Sequence, residues 1–483
     1  MKLKRYERYA DEIGELIRTQ ALRPGERLPS VRQACASRGI SPSTVFEAYY
    51  LLQSRGLVHA RPRSGHYVNA PRQPPPAEPG VAPPAPQSTR VAISELVFDV
   101  LGSTRETGVV PLGSAFPGAA LFPLDTLARR LTPAMRRLDA QRLVQDLTRG
   151  DEELRRQIGL RYGVEGTGVE LAEIVITNGA MEALNLCLQA VTRPGDVVAV
   201  ESPTFYAALQ ALERLNLRAV EVATHPRHGV DLDSLAEVLA RHPVRACWFM
   251  PNFQNPLGSL MPEASKQALV ALLARHQVPL IEDDVYGEMY FGLQRPAPAK
   301  AHDRQGLVLH CSSFSKCLAP GYRVGWVAAG RFAPAIQRLK LMSTLSTAIP
   351  SQMAIAEYLA RGGYERHLRQ LRQALAGQQA LALRLIAEHF PPGTRVTRPQ
   401  GGYFLWFELP CQVDALALHR LALARRISIA PGHLFSADRR FAHCLRLNCG
   451  HPADARFEAA LKAVGELAGM LCRQAGALGP GAG

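Results

Sequence analysis

No stretch of this 483-residue chain reaches eighteen consecutive apolar residues, which excludes a conventional membrane-spanning helix. The start, Met1-Lys2-Leu3-Lys4-Arg5-Tyr6-Glu7, is charged and lacks the apolar core of a secretory signal. Cys-x-x-Cys is absent. The nine cysteines, an odd number spread from Cys35 to Cys472, suit neither a disulfide frame nor a zinc site. Cys444 and Cys449 lie close together without a nearby partner pair, so packing is their expected role. The expectation is a cytoplasmic protein with reduced thiols and no metal centre. Acidic residues are also in deficit, with 42 Asp and Glu against 56 Lys and Arg, a net charge of +14.

What is present begins with length. At 483 residues and 47% apolar content, two or three domains with a sizeable core are expected. Half of the positive excess sits in residues 1–72, where thirteen basic residues face six acidic ones. A compact basic segment on a near-neutral body suits a polyanion partner. Then the composition changes abruptly. Ala70-Pro71-Arg72-Gln73-Pro74-Pro75-Pro76-Ala77-Glu78-Pro79-Gly80-Val81-Ala82-Pro83-Pro84-Ala85-Pro86 cannot form a helix or interior strand and favours an extended polyproline tether. The domains read as 1–70, a linker 71–93, and a body 94–475 whose last part, about 360–475, forms a small subdomain.

In the basic segment, Tyr6, Tyr9, Ala10, Ile13, Leu16 and Ile17 recur at helical spacing. Ser30 can cap a second helix ended by Gly39, and Ser41 a third with Pro42 in its first turn and Gly56 as stop. Val45, Ala48, Tyr49 and Leu52 then face the core, leaving Ser43, Thr44 and Glu47 outward. Strands at Leu57–Ala60 and His66–Asn69 flank a basic tip, Arg61-Pro62-Arg63-Ser64-Gly65. The result is a winged helix-turn-helix. Pro24-Gly25-Glu26-Arg27-Leu28-Pro29-Ser30-Val31-Arg32, Ser41-Pro42-Ser43-Thr44-Val45 and Arg63-Ser64-Gly65-His66-Tyr67-Val68 resemble the GntR family of transcription regulators. The resemblance implies promoter DNA as partner, with Arg32, Ser41, Ser43, Thr44, Arg61, Arg63 and Gly65 at the duplex. Hydroxyls at a helix N-terminus suit phosphates and base edges, and arginines on a wing suit a minor groove. Pro42 stands where many relatives carry arginine.

The body alternates apolar β-branched runs, at Glu173–Thr177, Val197–Glu201, Ala246–Met250, Pro279–Glu282 and Leu307–Cys311, with helical patterns. This is the pattern of an α/β fold with a mostly parallel sheet, whose functional loops gather at the strand ends. Those ends carry chemistry. Thr177-Asn178-Gly179-Ala180-Met181 opens a helix with free N–H groups, and Glu201-Ser202-Pro203-Thr204-Phe205-Tyr206 brings an aromatic pair. Asn252-Phe253-Gln254-Asn255-Pro256 supplies side-chain amides, and Ile281-Glu282-Asp283-Asp284-Val285-Tyr286 places carboxylates that need a cation. Ser312-Ser313-Phe314-Ser315-Lys316 follows, with Arg323 seven residues on. A lysine among hydroxyls and a guanidinium suits an aldehyde that carries a phosphate.

In this order the motifs resemble fold-type I enzymes of the aspartate aminotransferase class, which use pyridoxal 5′-phosphate (PLP), from about Pro111 to Met470. The resemblance implies that Lys316 forms a Schiff base with PLP and that Asp283 pairs with the pyridinium nitrogen, Asp284 being the alternate register. Asn255 and Tyr286 would bond the ring hydroxyl oxygen, and Phe205 would stack on the ring where most relatives have tyrosine. Ala180, Met181, Ser313, Ser315 and Arg323 would hold the phosphate, and Arg446 an effector carboxylate. Gln145 stands where relatives place a tyrosine that reaches the partner subunit's cofactor. Taken together, winged helix, proline tether and aminotransferase-like, α/β body with a small C-terminal α+β subdomain resemble the MocR subfamily of GntR regulators. That implies a homodimeric, PLP-dependent regulator sensing an amino acid, an amine or a B6 vitamer. The alternative is an active aminotransferase of an amino acid with a 2-oxo acid, for which the basic head and tether have no use.

Overall fold

The computed structural model describes residues 5–19, 21–54, 57–61, 64–69, 75–85, 87–102, 108–136, 141, 148–410 and 412–477. The chain divides into two compact units, Met1–Pro75 and Pro76–Gly483. Arg63 and Gln145 lie outside the described residues.

The first unit contains helices α1 (Arg5–Arg18), α2 (Val31–Arg38) and α3 (Pro42–Ser54), then an antiparallel pair, β1 (Val58–Arg61) and β2 (Gly65–Val68). Its ends follow from single residues. The Ser30 hydroxyl accepts from Gln33 N at 3.3 Å while Ser30 N donates to the Gln33 side chain at 2.9 Å, a reciprocal cap that opens α2. Gly39, at φ 61°, closes α2 in the left-handed conformation glycine adopts most readily. Ser41 Oγ accepts from Thr44 N at 3.3 Å and opens α3. Val45, Ala48, Tyr49 and Leu52 point inward and meet Tyr9, Ala10, Ile13 and Leu28 in a closed core. The two strands lie one residue from the expected positions, because Arg61 pairs with Gly65 across the wing.

The body is built on a nine-stranded sheet among the described residues. Its members are β3 (Thr89–Arg90), β4 (Ile174–Thr177), β5 (Val197–Ser202), β6 (Arg218–His225), β7 (Gly229–Val230), β8 (Val244–Phe249), β9 (Leu280–Asp283), β10 (Val308–Ser313) and β11 (Gly325–Ala328). The order is β3-β6-β5-β8-β9-β10-β11-β4, with β7 beside β6. Strands β6, β5, β8, β9 and β10 run parallel, whereas β11 is antiparallel to both β10 and β4. The near-continuous apolar strands are buried on both faces, as a helix-covered parallel sheet requires. A second, antiparallel sheet joins β12 (Arg395–Val396), β13 (Phe404–Glu408), β14 (Ala430–Pro431) and β15 (Cys444–Asn448) in the order β12-β13-β15-β14. Cys444 and Cys449 are buried in this part. No helix among the described residues is long and apolar enough to cross a membrane.

The proline-rich stretch differs from the free tether that its composition suggests. Residues 75–85 are extended, without helix or strand, yet Ala77 O accepts from Val396 N at 2.9 Å and Pro76 O from Arg398 Nη2 at 2.6 Å. Further along the chain, β3 adds to the edge of β6. Arginine donors satisfy carbonyls that a polyproline chain otherwise leaves to water.

Candidate functional site

The predicted site residues assemble where the parallel strands end. Asp283 closes β9, Lys316 lies three residues beyond β10, Asn255 is on the loop after β8, and Phe205 is three residues beyond β5. The helix Ala180–Val191 starts after β4 with Gly179 at φ 82° as its cap. A Cβ at Gly179 would collide with the Arg323 guanidinium, so glycine is what lets the arginine approach the helix start. Arg323, itself at φ 52°, donates to Ser315 Oγ at 3.3 Å and to Asn178 O at 3.1 Å. Ser313 Oγ accepts from Ser315 N at 3.4 Å. Backbone N–H groups at Ala180 and Met181, two hydroxyls and a guanidinium thus converge on one cradle whose chemistry suits a phosphate.

Lys316 Nζ donates to Ala115 O at 2.9 Å and sits 3.5 Å from the centre of the Phe116 ring. Burial brings its amine down to about 7, helped by the positive charges of Arg446 and Arg323 and opposed by Asp283. The amine is therefore substantially unprotonated at neutral pH. Asp283 is buried, and its Oδ1 has no hydrogen-bond partner. Burial and the Asp284 charge push its carboxyl up to about 7. Asp284 differs sharply. Burial raises it, but Arg295 at 2.7 Å, His310 at 3.1 Å and Asn252 at 3.0 Å hold it near 2. The two carboxylates thus differ in environment: both oxygens of Asp284 are bonded, whereas Asp283 Oδ1 is without a partner among the described residues. Asn255 Nδ2 donates to Tyr286 Oη at 3.4 Å, and both side chains are buried.

Arg446, on β15, is fully buried, yet among the described residues its bonds go to neutral acceptors: Asn255 Oδ1 at 3.0 Å, Gly113 O at 2.7 Å and Ser114 O at 3.3 Å. Its Nε has no partner, and the guanidinium carbon lies 4.2 Å from the Phe404 ring centre. A buried cation without a carboxylate is costly, and a carboxylate ligand would relieve that cost. Phe205 is half-buried, its ring 4.8 Å from that of Tyr206.

In the first unit, Ser41 Oγ lies 2.9 Å from both Ser43 Oγ and Thr44 Oγ1, so three hydroxyls cluster at the start of α3. Arg32 is exposed on α2, Arg61 ends β1, and Gly65 has φ 115° with the Arg27 side chain against it.

Comparison with known proteins follows this division. Residues 5–68 match the bacterial regulatory proteins of the gntR family, and residues 126–464 match aminotransferase class I and II. The Escherichia coli K12 protein YdcR, an uncharacterized HTH-type transcriptional regulator, is 47% identical over 465 residues, covering 96% of this chain and 99% of YdcR. YjiR, another such regulator from the same organism, is 37% identical over 464 residues, covering 96% of this chain and 98% of YjiR. This chain belongs to the GntR-family regulators with an aminotransferase-like body, the MocR subfamily. Among solved structures, the kynurenine aminotransferase of Pyrococcus horikoshii superposes on this MocR-type chain with a TM-score of 0.73 at 28% identity, over 78% of this chain and 94% of that one. The α-aminoadipate aminotransferase LysN of Thermus thermophilus, complexed with N-(5′-phosphopyridoxyl)-L-leucine, gives 0.70 at 28% identity, over 80% and 100%.

Two features of the MocR-type site were missed in the sequence. The segment 113–118 folds over Lys316 and is fastened to β15, with Asn448 Nδ2 donating to Phe116 O at 2.6 Å. Its signal was Gly113, where a Cβ would meet the Ile429 backbone at 2.7 Å. The second is Glu201, buried at the end of β5 and pushed up to about 8 by burial, which keeps a proton in the interior close to Asp283.

Proposed function

We propose that the body of this regulator binds PLP at Lys316 and that a small amine bearing a carboxylate, engaged by Arg446, changes how the homodimeric protein acts on promoter DNA. The observation that carries this reading is a buried Arg446 that bonds Asn255 and main-chain carbonyls, with no carboxylate partner among the described residues, beside a lysine amine lowered to about 7. Ala180 and Met181 N–H, Ser313, Ser315 and Arg323 would hold the phosphate. Asp283 Oδ1 would accept from the protonated ring nitrogen, Asn255 and Tyr286 would bond the ring hydroxyl oxygen, and Phe205 would cover a ring face. When bound, PLP supplies an aldehyde that condenses with amines and a ring that draws electrons from the attached carbon. Lys316 presents an unprotonated Nζ for that aldehyde, Asp283 holds the ring proton, and segment 113–118 limits the access of water. In the first unit, the hydroxyls of Ser41, Ser43 and Thr44 meet the duplex from the N-terminus of α3, and Arg32, Arg61, Arg63 and Gly65 supply further duplex contacts. Borohydride reduction of the full chain grown with PLP, followed by peptide mapping, should place a pyridoxyl group on Lys316. A label on another lysine, or none, would refute the assignment.

A further inference from the structure

The stretches 76–85 and 87–90 are clamped from two sides. From the large sheet, Arg227 pairs with Glu78, and Arg218 donates to Ser88 O at 2.5 Å and Ser88 Oγ at 3.0 Å. From the C-terminal part, Val396 N donates to Ala77 O at 2.9 Å, Arg398 N to Glu78 Oε1 at 3.2 Å, and Arg440 to Pro83 O. Glu78 is therefore shared between the two parts, and Pro79 beside it is buried.

A line of contacts also leads from Arg446 to this stretch. Its guanidinium carbon lies 5.3 Å from the Phe435 ring centre. The next residue, Ser436, donates to Glu221 Oε1 at 3.0 Å, and Glu221, on β6, pairs with Arg440. Arg440 also bonds Ser202 Oγ at 3.0 Å, at the end of β5, and reaches Pro83 on the strap. Glu221 is buried, so removing Arg440 leaves its carboxylate with only the Ser202 and Ser436 hydroxyls and no cation, and the junction favours one arrangement over a continuum.

We infer that residues 76–85, continued by 87–90, act as a strap whose docking depends on how the C-terminal sheet is held against the large sheet, and that this docking carries occupancy of the Arg446 site to the DNA-binding unit. The inference rests on the role proposed above for Arg446. A carboxylate at Arg446 holds β15 and, through Ser436 and Arg440, both banks of the strap at fixed separation. The strap is covalently continuous with the first unit, so its release or docking alters the chain leading to that unit. Such differential contact is what a population shift requires.

The test uses full-length protein and two probes, N-(5′-phosphopyridoxyl)-L-leucine and pyridoxamine 5′-phosphate, which lacks the carboxylate. Hydrogen exchange at the Val396 and Arg398 amides should slow about tenfold with the first probe relative to the second, within the usual range of coupling between sites. Glu78→Ala and Arg227→Ala should bind the leucine adduct with wild-type affinity. Both should also bind a duplex selected from a random library, while the adduct-dependent change in that binding falls below about twofold, where wild type changes at least about fivefold. If the adduct binds wild type but neither amide responds, or both variants keep the full response, the strap is not the carrier. If wild type fails to bind the adduct, the reading of Arg446 falls and takes the strap with it.

Discussion

Lys316 is where sequence and chemistry meet most directly. An ordinary lysine is almost fully protonated at neutral pH, but burial and the neighbouring Arg446 and Arg323 bring this one to about 7. The folded chain therefore binds this proton less tightly than the unfolded chain. Between about pH 7 and the ordinary lysine value the unfolded state holds more protons, so the cost of burying Lys316 is present below 7 and is relieved as pH rises. Asp283 works oppositely: raised to about 7, it favours the fold below the ordinary carboxyl value, and that contribution is lost as pH climbs to 7. Uptake of PLP by cofactor-free protein, followed by absorbance, should accelerate about tenfold per pH unit up to about 7 and then level off. Acceleration continuing to about pH 10 would show an unperturbed amine. The spacing of Lys316, Arg323 and the Asp283-Asp284 doublet was legible in the sequence, whereas the contrast in environment between the two carboxylates was not. That contrast depends on Arg295 and His310, which only the folded chain brings to Asp284.

At the scale of elements, the first unit was legible almost throughout because its boundaries are local chemistry. Ser30, Gly39, Ser41 and the spacing of Val45, Ala48, Tyr49 and Leu52 define helices without distant partners. Ser30→Ala should cost about 1 kcal/mol in chemical denaturation of the full chain, as loss of a capping hydroxyl does. Thr44→Ala should weaken a selected duplex more than random DNA, with both affinities falling steeply as salt rises. Equal loss on both duplexes would assign Thr44 to the phosphates alone. In the body, strand β6 was not recognised, because Glu221 and Thr224 interrupt its apolar run. The structure buries that carboxylate only because Arg440, Ser202 and Ser436 arrive from elsewhere in the chain. Strand β11 was hidden for a different reason. It is four residues long and opens at Gly325, where a Cβ would meet the Gly179 backbone at 2.6 Å.

For the whole molecule, the sequence indicated a basic head, a tether and a body, and the family matches at residues 5–68 and 126–464 fit a regulator. What composition could not reveal is that the proline stretch is held by arginines far along the chain, such as Arg398 and Arg440. The proposed regulation rests on chemistry at Lys316 governing DNA binding. The most direct measurement is the affinity of the full chain for a duplex selected from a random library, with PLP alone and with PLP plus each common amino acid in turn. Wild type should shift by about five- to 150-fold with at least one amino acid, and Lys316→Ala should keep the basal affinity while showing no shift. A shift in Lys316→Ala equal to that of wild type would contradict the account.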